Sequence, residues 1–187
     1  NAYTSGTRTA FFIKIMNKRF EKALDILSDM VANPLFDKKK IEKEKKVILK
    51  EINMVTDDPR LHQWILFQKN LFENHPAKNP TYGNAKAVKS INRNIINNYY
   101  DKHYLPNNMV ISIVGNVNNI KEKINKYFGS LKPKNLKQRK RVKEPLQTKI
   151  KTFVEKRKTY NSYMVLGYKT VSRMHKDSYV FDVINSI

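Results

Sequence analysis

From Ile41 to Val55 the apolar residues Ile41, Ile48, Ile52 and Val55 return at helical spacing through a run otherwise dominated by lysine and glutamate. A helix with a single apolar stripe has to bury that stripe against another element. The chain therefore needs a second layer and cannot be a string of solvated helices. Asp37 stands where the cap of this helix belongs, and Asp57-Asp58-Pro59 marks its end. Glu44 and Glu51 border the stripe, with Ile48 four residues after the first and three before the second. Seven residues make about two turns, so both glutamates lie within ~20° of one line on the helix and ~10 Å apart along its axis. That separation forbids joint ligation of one ion at ~2 Å. On spacing alone the pair reads as two solvated, ion-paired carboxylates.

The rest of the chain alternates helix and strand patterns in groups. "AYTSGTRTAFFIKI" is rich in β-branched and aromatic residues and predicts a strand. Phe20, Ala23, Leu24, Leu27 and Val31 form one face of a helix that Asn33-Pro34 stops. "RLHQWILFQKNLF" predicts a third helix with Leu61, Ile65 and Phe72 inward. Ser90 is the expected cap of "INRNIINNYYDKHY", "NMVISIVGNV" an expected buried strand, and "NIKEKINKYFG" a short helix closed by Gly129. Lys132 to Pro145 holds seven basic residues, one acid and two prolines, which predicts an exposed linker. Two further strands, "KIKTFVEK" and "NSYMVLGYK", and a helix from about Asp177-Ser178 follow. The grouping predicts an α+β fold, with helices layered on one face of a mainly antiparallel or mixed sheet.

Composition narrows the partners. No apolar run approaches the ~18 residues of a membrane span. With no cysteine, disulfides and thiolate metal sites are excluded. The formal charge of +21 favours acidic or polyanionic partners. The lysines are scattered over every segment rather than gathered in a patch, so specific nucleic-acid binding is not expected.

Several of these words fall in a telling order: "NAYTS", "ALDILSDMVANPLFD", "IEKEKKVILKEI", "DDP", "HP" with a later "YG", "YYDKHYLPNNMVISIVGNV" and "YMVLGYK". The series resembles the pitrilysin/insulinase family of zinc metallopeptidases, which includes the mitochondrial processing peptidases, along essentially the whole chain. Its most specific part is the glutamate pair after "NPLFD". The resemblance implies that Glu51 is the distal zinc ligand, Glu44 an accessory acid near the site, and Asn1, Ala2 and Tyr3 an edge strand that pairs with an extended peptide substrate. It also implies that residues 1–131 are the C-terminal part of a zinc-peptidase domain, 132–145 a basic linker, and 146–187 the beginning of a structurally similar domain.

The departure from the family pattern is as informative. Its His-x-x-Glu-His motif, with two zinc ligands and a general base, is absent here. The four histidines, His62, His75, His103 and His175, include no two that are three or four residues apart. His75 reads as a loop histidine. The chain offers one zinc ligand where a catalytic site takes three. It is thus expected to be a fragment or one piece of a split enzyme, inactive without the histidine-bearing segment or subunit and part of a homo- or hetero-oligomer. A noncatalytic partner subunit stays open as a second reading, and a basic polyanion binder as a third. Retention of both glutamates favours the peptidase. A steep salt dependence of binding would favour the third.

Overall fold

The computed structural model of the protein describes residues 1–136 and 142–187. Part of the run read as a basic linker, residues 137–141, lies outside the described residues. The chain divides into two compact units, Asn1–Ile52 with Thr81–Lys140, and Asn53–Pro80 with Arg141–Ile187.

The first unit begins with an antiparallel hairpin, β1 (Ala2–Thr4) and β2 (Thr9–Phe11), in the register Ala2↔Phe11, Tyr3↔Ala10, Thr4↔Thr9. The segment expected as one strand is therefore two, because Gly6-Thr7 is a two-residue turn closed by a Ser5 N–H to Arg8 carbonyl bond of 2.8 Å. Helix α1 (Phe20–Ala32) buries Ala23, Leu24 and Ser28. Helix α2 (Lys38–Asp57), whose residues through Ile52 belong to this unit and whose last turn belongs to the second, is the lysine-rich helix read from the sequence, and the Asp37 carboxylate accepts the Lys40 N–H at 2.9 Å as its cap. Helices α4 (Ala85–Ser90), α5 (Arg93–His103) and α6 (Ile120–Phe128) complete the unit. The buried apolar side chains are Ala23 and Leu24 of α1, Ile52 of α2, Val88 of α4 and Leu105 after α5, and α1 packs most closely on α6. Tyr100 ties α5 to the end of α1, donating to the Val31 carbonyl at 2.6 Å. Glu21 on α1 takes Lys123 and Lys126 of α6 at 3.6 and 3.4 Å.

The second unit holds α3 (Pro59–Leu71) and α7 (Ser178–Ile184). Asp58 caps α3, accepting the Arg60 N–H at 2.8 Å, with Pro59 at its first position. Gly167 lies against the Phe67 ring, where an added Cβ would meet the ring at 2.6 Å. A larger residue there would have to displace the Phe67 ring. Arg157 donates to the Thr56 carbonyl in the last turn of α2, and Glu155 bonds the His62 ring at 3.1 Å.

Several expectations are corrected. The cap of α5 is Asn92, which accepts the Ile95 N–H at 3.0 Å, whereas Ser90 ends the separate short helix α4 and donates to Ala87. Leu61 faces outward at 48% exposure. The stretches 109–118, 149–156 and 161–169 form no strand among the described residues; the one ladder there joins β1 and β2. Val110 and Val114, expected in a buried strand, are 95% and 98% exposed. Their β-branched composition suits a strand, but a strand also needs a hydrogen-bonded neighbour. The fold is thus helix-rich α+β with a small antiparallel hairpin. No described helix is long and apolar enough to cross a membrane.

The cap of α5 gives a direct test of this local reading. Asn92→Ala is expected to cost about 1 kcal/mol of stability, measured by denaturant unfolding, because the Ile95 N–H loses its acceptor at a helix end. Ser90→Ala should cost clearly less.

Candidate functional site

Helix α2 presents its candidate acids through simple periodicity. Ile52 is buried, and Ile41, Ile48 and Val55 are half-buried along the same stripe. Glu44 and Glu51 are exposed on one flank of that stripe. Lys45 sits within the stripe, its Nζ bonded to the Ile91 carbonyl at 3.0 Å and to Glu42 at 2.9 Å. The helix thus spends Glu42 on an ion pair. Neither the Glu44 nor the Glu51 side chain makes a hydrogen bond or ion pair among the described residues. A free, solvent-facing carboxylate is chemically suited to take a cation, but one carboxylate is one ligand. Among the described residues no three His, Asp or Glu side chains come together to hold a metal ion.

The histidines are engaged or stacked elsewhere. His62 is paired with Glu155. His75 Nδ1 accepts the Ala77 N–H at 3.1 Å, as a turn cap. The His103 ring lies 4.4 Å from that of Tyr99, and His175 Nδ1 accepts the Asp177 N–H at 3.2 Å. His75 is a loop histidine, in line with the sequence.

The other candidate element is β1. Asn1 and Phe12 exchange both backbone bonds, the terminal amine to the Phe12 carbonyl at 3.0 Å and the Phe12 N–H to the Asn1 carbonyl at 2.9 Å. Ser5 bonds Arg8 in the same sense. Hydrogen-bonded and non-hydrogen-bonded pairs alternate along an antiparallel ladder. Asn1, Tyr3 and Ser5 therefore direct their backbone groups toward β2, while Ala2 and Thr4 direct theirs away from it. β1 pairs with β2 alone among the described strands, and all three of its residues are exposed. The outward groups of Ala2 and Thr4 are an open row that an extended chain can join. Thr4 was not singled out from the sequence. The Gly6-Thr7 turn was the signal that identifies it, because the turn fixes the register. On the side-chain faces, Tyr3 lies 6.3 Å from Phe12 under the Arg8 guanidinium, and Phe11 reaches Tyr104 at 6.5 Å. The hairpin is thereby held to the end of α5 through Phe11, leaving the β1 edge uncovered.

Comparison with known proteins gives concordant matches. A family model described as "Insulinase (Peptidase family M16)" matches residues 1–85, and one described as "Peptidase M16 inactive domain" matches residues 90–187. The chain is 31% identical over its whole length to "Uncharacterized zinc protease YmxG" of Bacillus subtilis (strain 168), of which it spans 45%. It is 31% identical over 134 residues to "Mitochondrial-processing peptidase subunit beta" of Caenorhabditis elegans, covering 71% of this chain and 29% of that protein. Among solved structures, a protease from Helicobacter pylori superposes with a TM-score of 0.72 at 26% identity, covering 78% of this chain and 36% of that one. The chain thus spans less than half the length of these relatives.

Proposed function

The chain belongs to the insulinase family of peptidases, family M16, and from that premise we propose that it is the part of a zinc-dependent endopeptidase that supplies one glutamate ligand, Glu51, and a substrate-binding edge strand, Asn1-Ala2-Tyr3. The observation that carries the proposal is the open β1 edge, with the backbone groups of Ala2 and Thr4 aimed away from β2. A peptide substrate would join that edge in an extended conformation, main chain to main chain, with its alternate side chains setting specificity. Glu51 supports the reading as a carboxylate with no internal partner among the described residues. The remaining ligands and the general base would come from a His-x-x-Glu-His segment or subunit outside these residues. Zinc, when bound, supplies Lewis-acid polarisation of the scissile carbonyl. Glu44, ~10 Å along the helix from Glu51, acts as an accessory acid that orients its surroundings rather than as a ligand. The reading keeps residues 1–131 as part of the zinc-peptidase domain and 146–187 as the start of the next.

A second reading, a noncatalytic partner subunit, is favoured by one finding: the match over residues 90–187 is to a model described as an inactive domain. One experiment separates the two. Joined to, or mixed with, a segment bearing His-x-x-Glu-His, the chain should cleave unstructured peptides, stop on chelation and recover with added zinc. The chain alone should not cleave. If the assembled protein folds and binds peptide but never cleaves it, the noncatalytic reading stands.

A further inference from the structure

The segment Lys143-Glu144-Pro145 closes the run read from the sequence as a solvated linker, yet it is bonded on both sides. The Glu144 carboxylate accepts three consecutive backbone N–H groups, from Glu73 and Asn74 (2.6 and 2.9 Å) and from His75 (2.7 Å). It also accepts Lys169 Nζ at 2.8 Å. The carbonyls on either side of it are taken as well, Lys143 by the Asn74 side chain and Pro145 by Lys169. All of these residues lie in the second unit. The Glu144 side chain is 16% exposed, which is unusual in a chain of this charge, where most acids sit in water.

Successive backbone N–H groups converging on one point form an anion-binding concavity, and a buried carboxylate is tolerated only where such donors replace its water. We propose that the Glu73–His75 turn with Lys169 is an anion site filled from within, and that Glu144 is the latch that fixes the segment after the basic run in the second unit. The bond from Glu73 to Glu144 closes 71 residues of chain, so this contact sets the position of a long excursion rather than trimming a local turn.

The charged groups around the latch are consistent with that role. Lys169 is the cation that faces the carboxylate. Glu73 turns its own carboxylate away to Lys151, and Lys78 bonds the Glu73 carbonyl. The His75 ring is occupied by the Ala77 N–H. Removal from water would raise the Glu144 carboxyl above its ordinary value. The Lys169 ammonium and the three N–H groups overcome that and bring it down to about 2. A depressed folded-state value means that the stabilisation is complete above the ordinary carboxylate range, near 4.5, and is lost as pH falls toward about 2. The latch is therefore shut at neutral pH.

Amide hydrogen exchange on the full chain tests this at pH 7. In Glu144→Ala, exchange at residues 73–75 should rise roughly tenfold or more, while the α1 amides stay unchanged. Added acetate should saturably restore protection in the variant and do nothing to the unsubstituted chain. Equal exchange in the two proteins overturns the latch. Failure of acetate to protect the variant overturns the anion site. Should Glu144→Ala not fold, the unsubstituted chain carries the test alone. Its 73–75 amide proton shifts should then titrate with a midpoint near 2; a midpoint in the ordinary carboxylate range overturns the proposal.

Discussion

Glu51→Gln, made in the chain joined to its histidine-bearing segment, is expected to remove zinc and peptide cleavage together. Glu44→Gln is expected to reduce cleavage about 10- to 100-fold while leaving at least part of the metal, the effect typical of a group that supports a ligand rather than being one. The reasoning is geometric. Both carboxylates stand on the same flank of α2, both exposed. The helical rise separates them by ~10 Å, whereas a carboxylate ligand sits ~2 Å from zinc. One ion therefore takes at most one of them. The amide of Gln keeps the size and helix propensity of Glu, so neither change should unfold α2, whose hold on the core runs through Ile48 and Ile52. Zinc content and cleavage, measured on the same preparations, check this. Equal zinc loss from the two variants would mean that Glu51 does not have the place assigned to it.

Ala2→Pro is expected to lower peptide cleavage by about tenfold or more, with little change in zinc content or thermal stability. Proline removes the Ala2 N–H, which points away from β2 and contributes nothing to the hairpin ladder. The loss falls on any chain that pairs with the open edge: one backbone hydrogen bond, plus the ring standing where the added strand must approach. Tyr3→Pro is the control. The Tyr3 N–H faces β2, so that variant should weaken the hairpin itself and lower stability. If Ala2→Pro destabilises the protein as Tyr3→Pro does, the Ala2 N–H is already paired inside the fold. If it cleaves normally, the strand is not the substrate rail.

The helical part of the structure was legible because its signals are local. The stripe of α2, its cap at Asp37 and its stop at Asp57-Asp58-Pro59 are written within one or two turns of the residues they control, and all appear as expected; that Asp58 also caps α3 came only from the structure. Asn92 was missed in favour of Ser90 because both suit a cap and stand two residues apart. The strand expectations failed for a different reason. β-Branched and aromatic composition at 109–118, 149–156 and 161–169 says that a strand would be comfortable, but not where its neighbour is, and sheet pairing is non-local. The Glu144 latch was invisible for the same reason, since its three backbone partners lie 69 to 71 residues away and Lys169 lies 25 away. At the candidate site, Glu44 and Glu51 were legible as a spacing, while the outward row at Ala2 and Thr4 emerged only once the Gly6-Thr7 turn fixed the register.

Metal analysis of the chain alone, beside the chain joined to a His-x-x-Glu-His segment, tests the central claim most directly. The account predicts one zinc per molecule in the joined protein and little or none in the isolated chain, where the described residues assemble no three-ligand cluster. Tight, stoichiometric zinc in the isolated chain would contradict it.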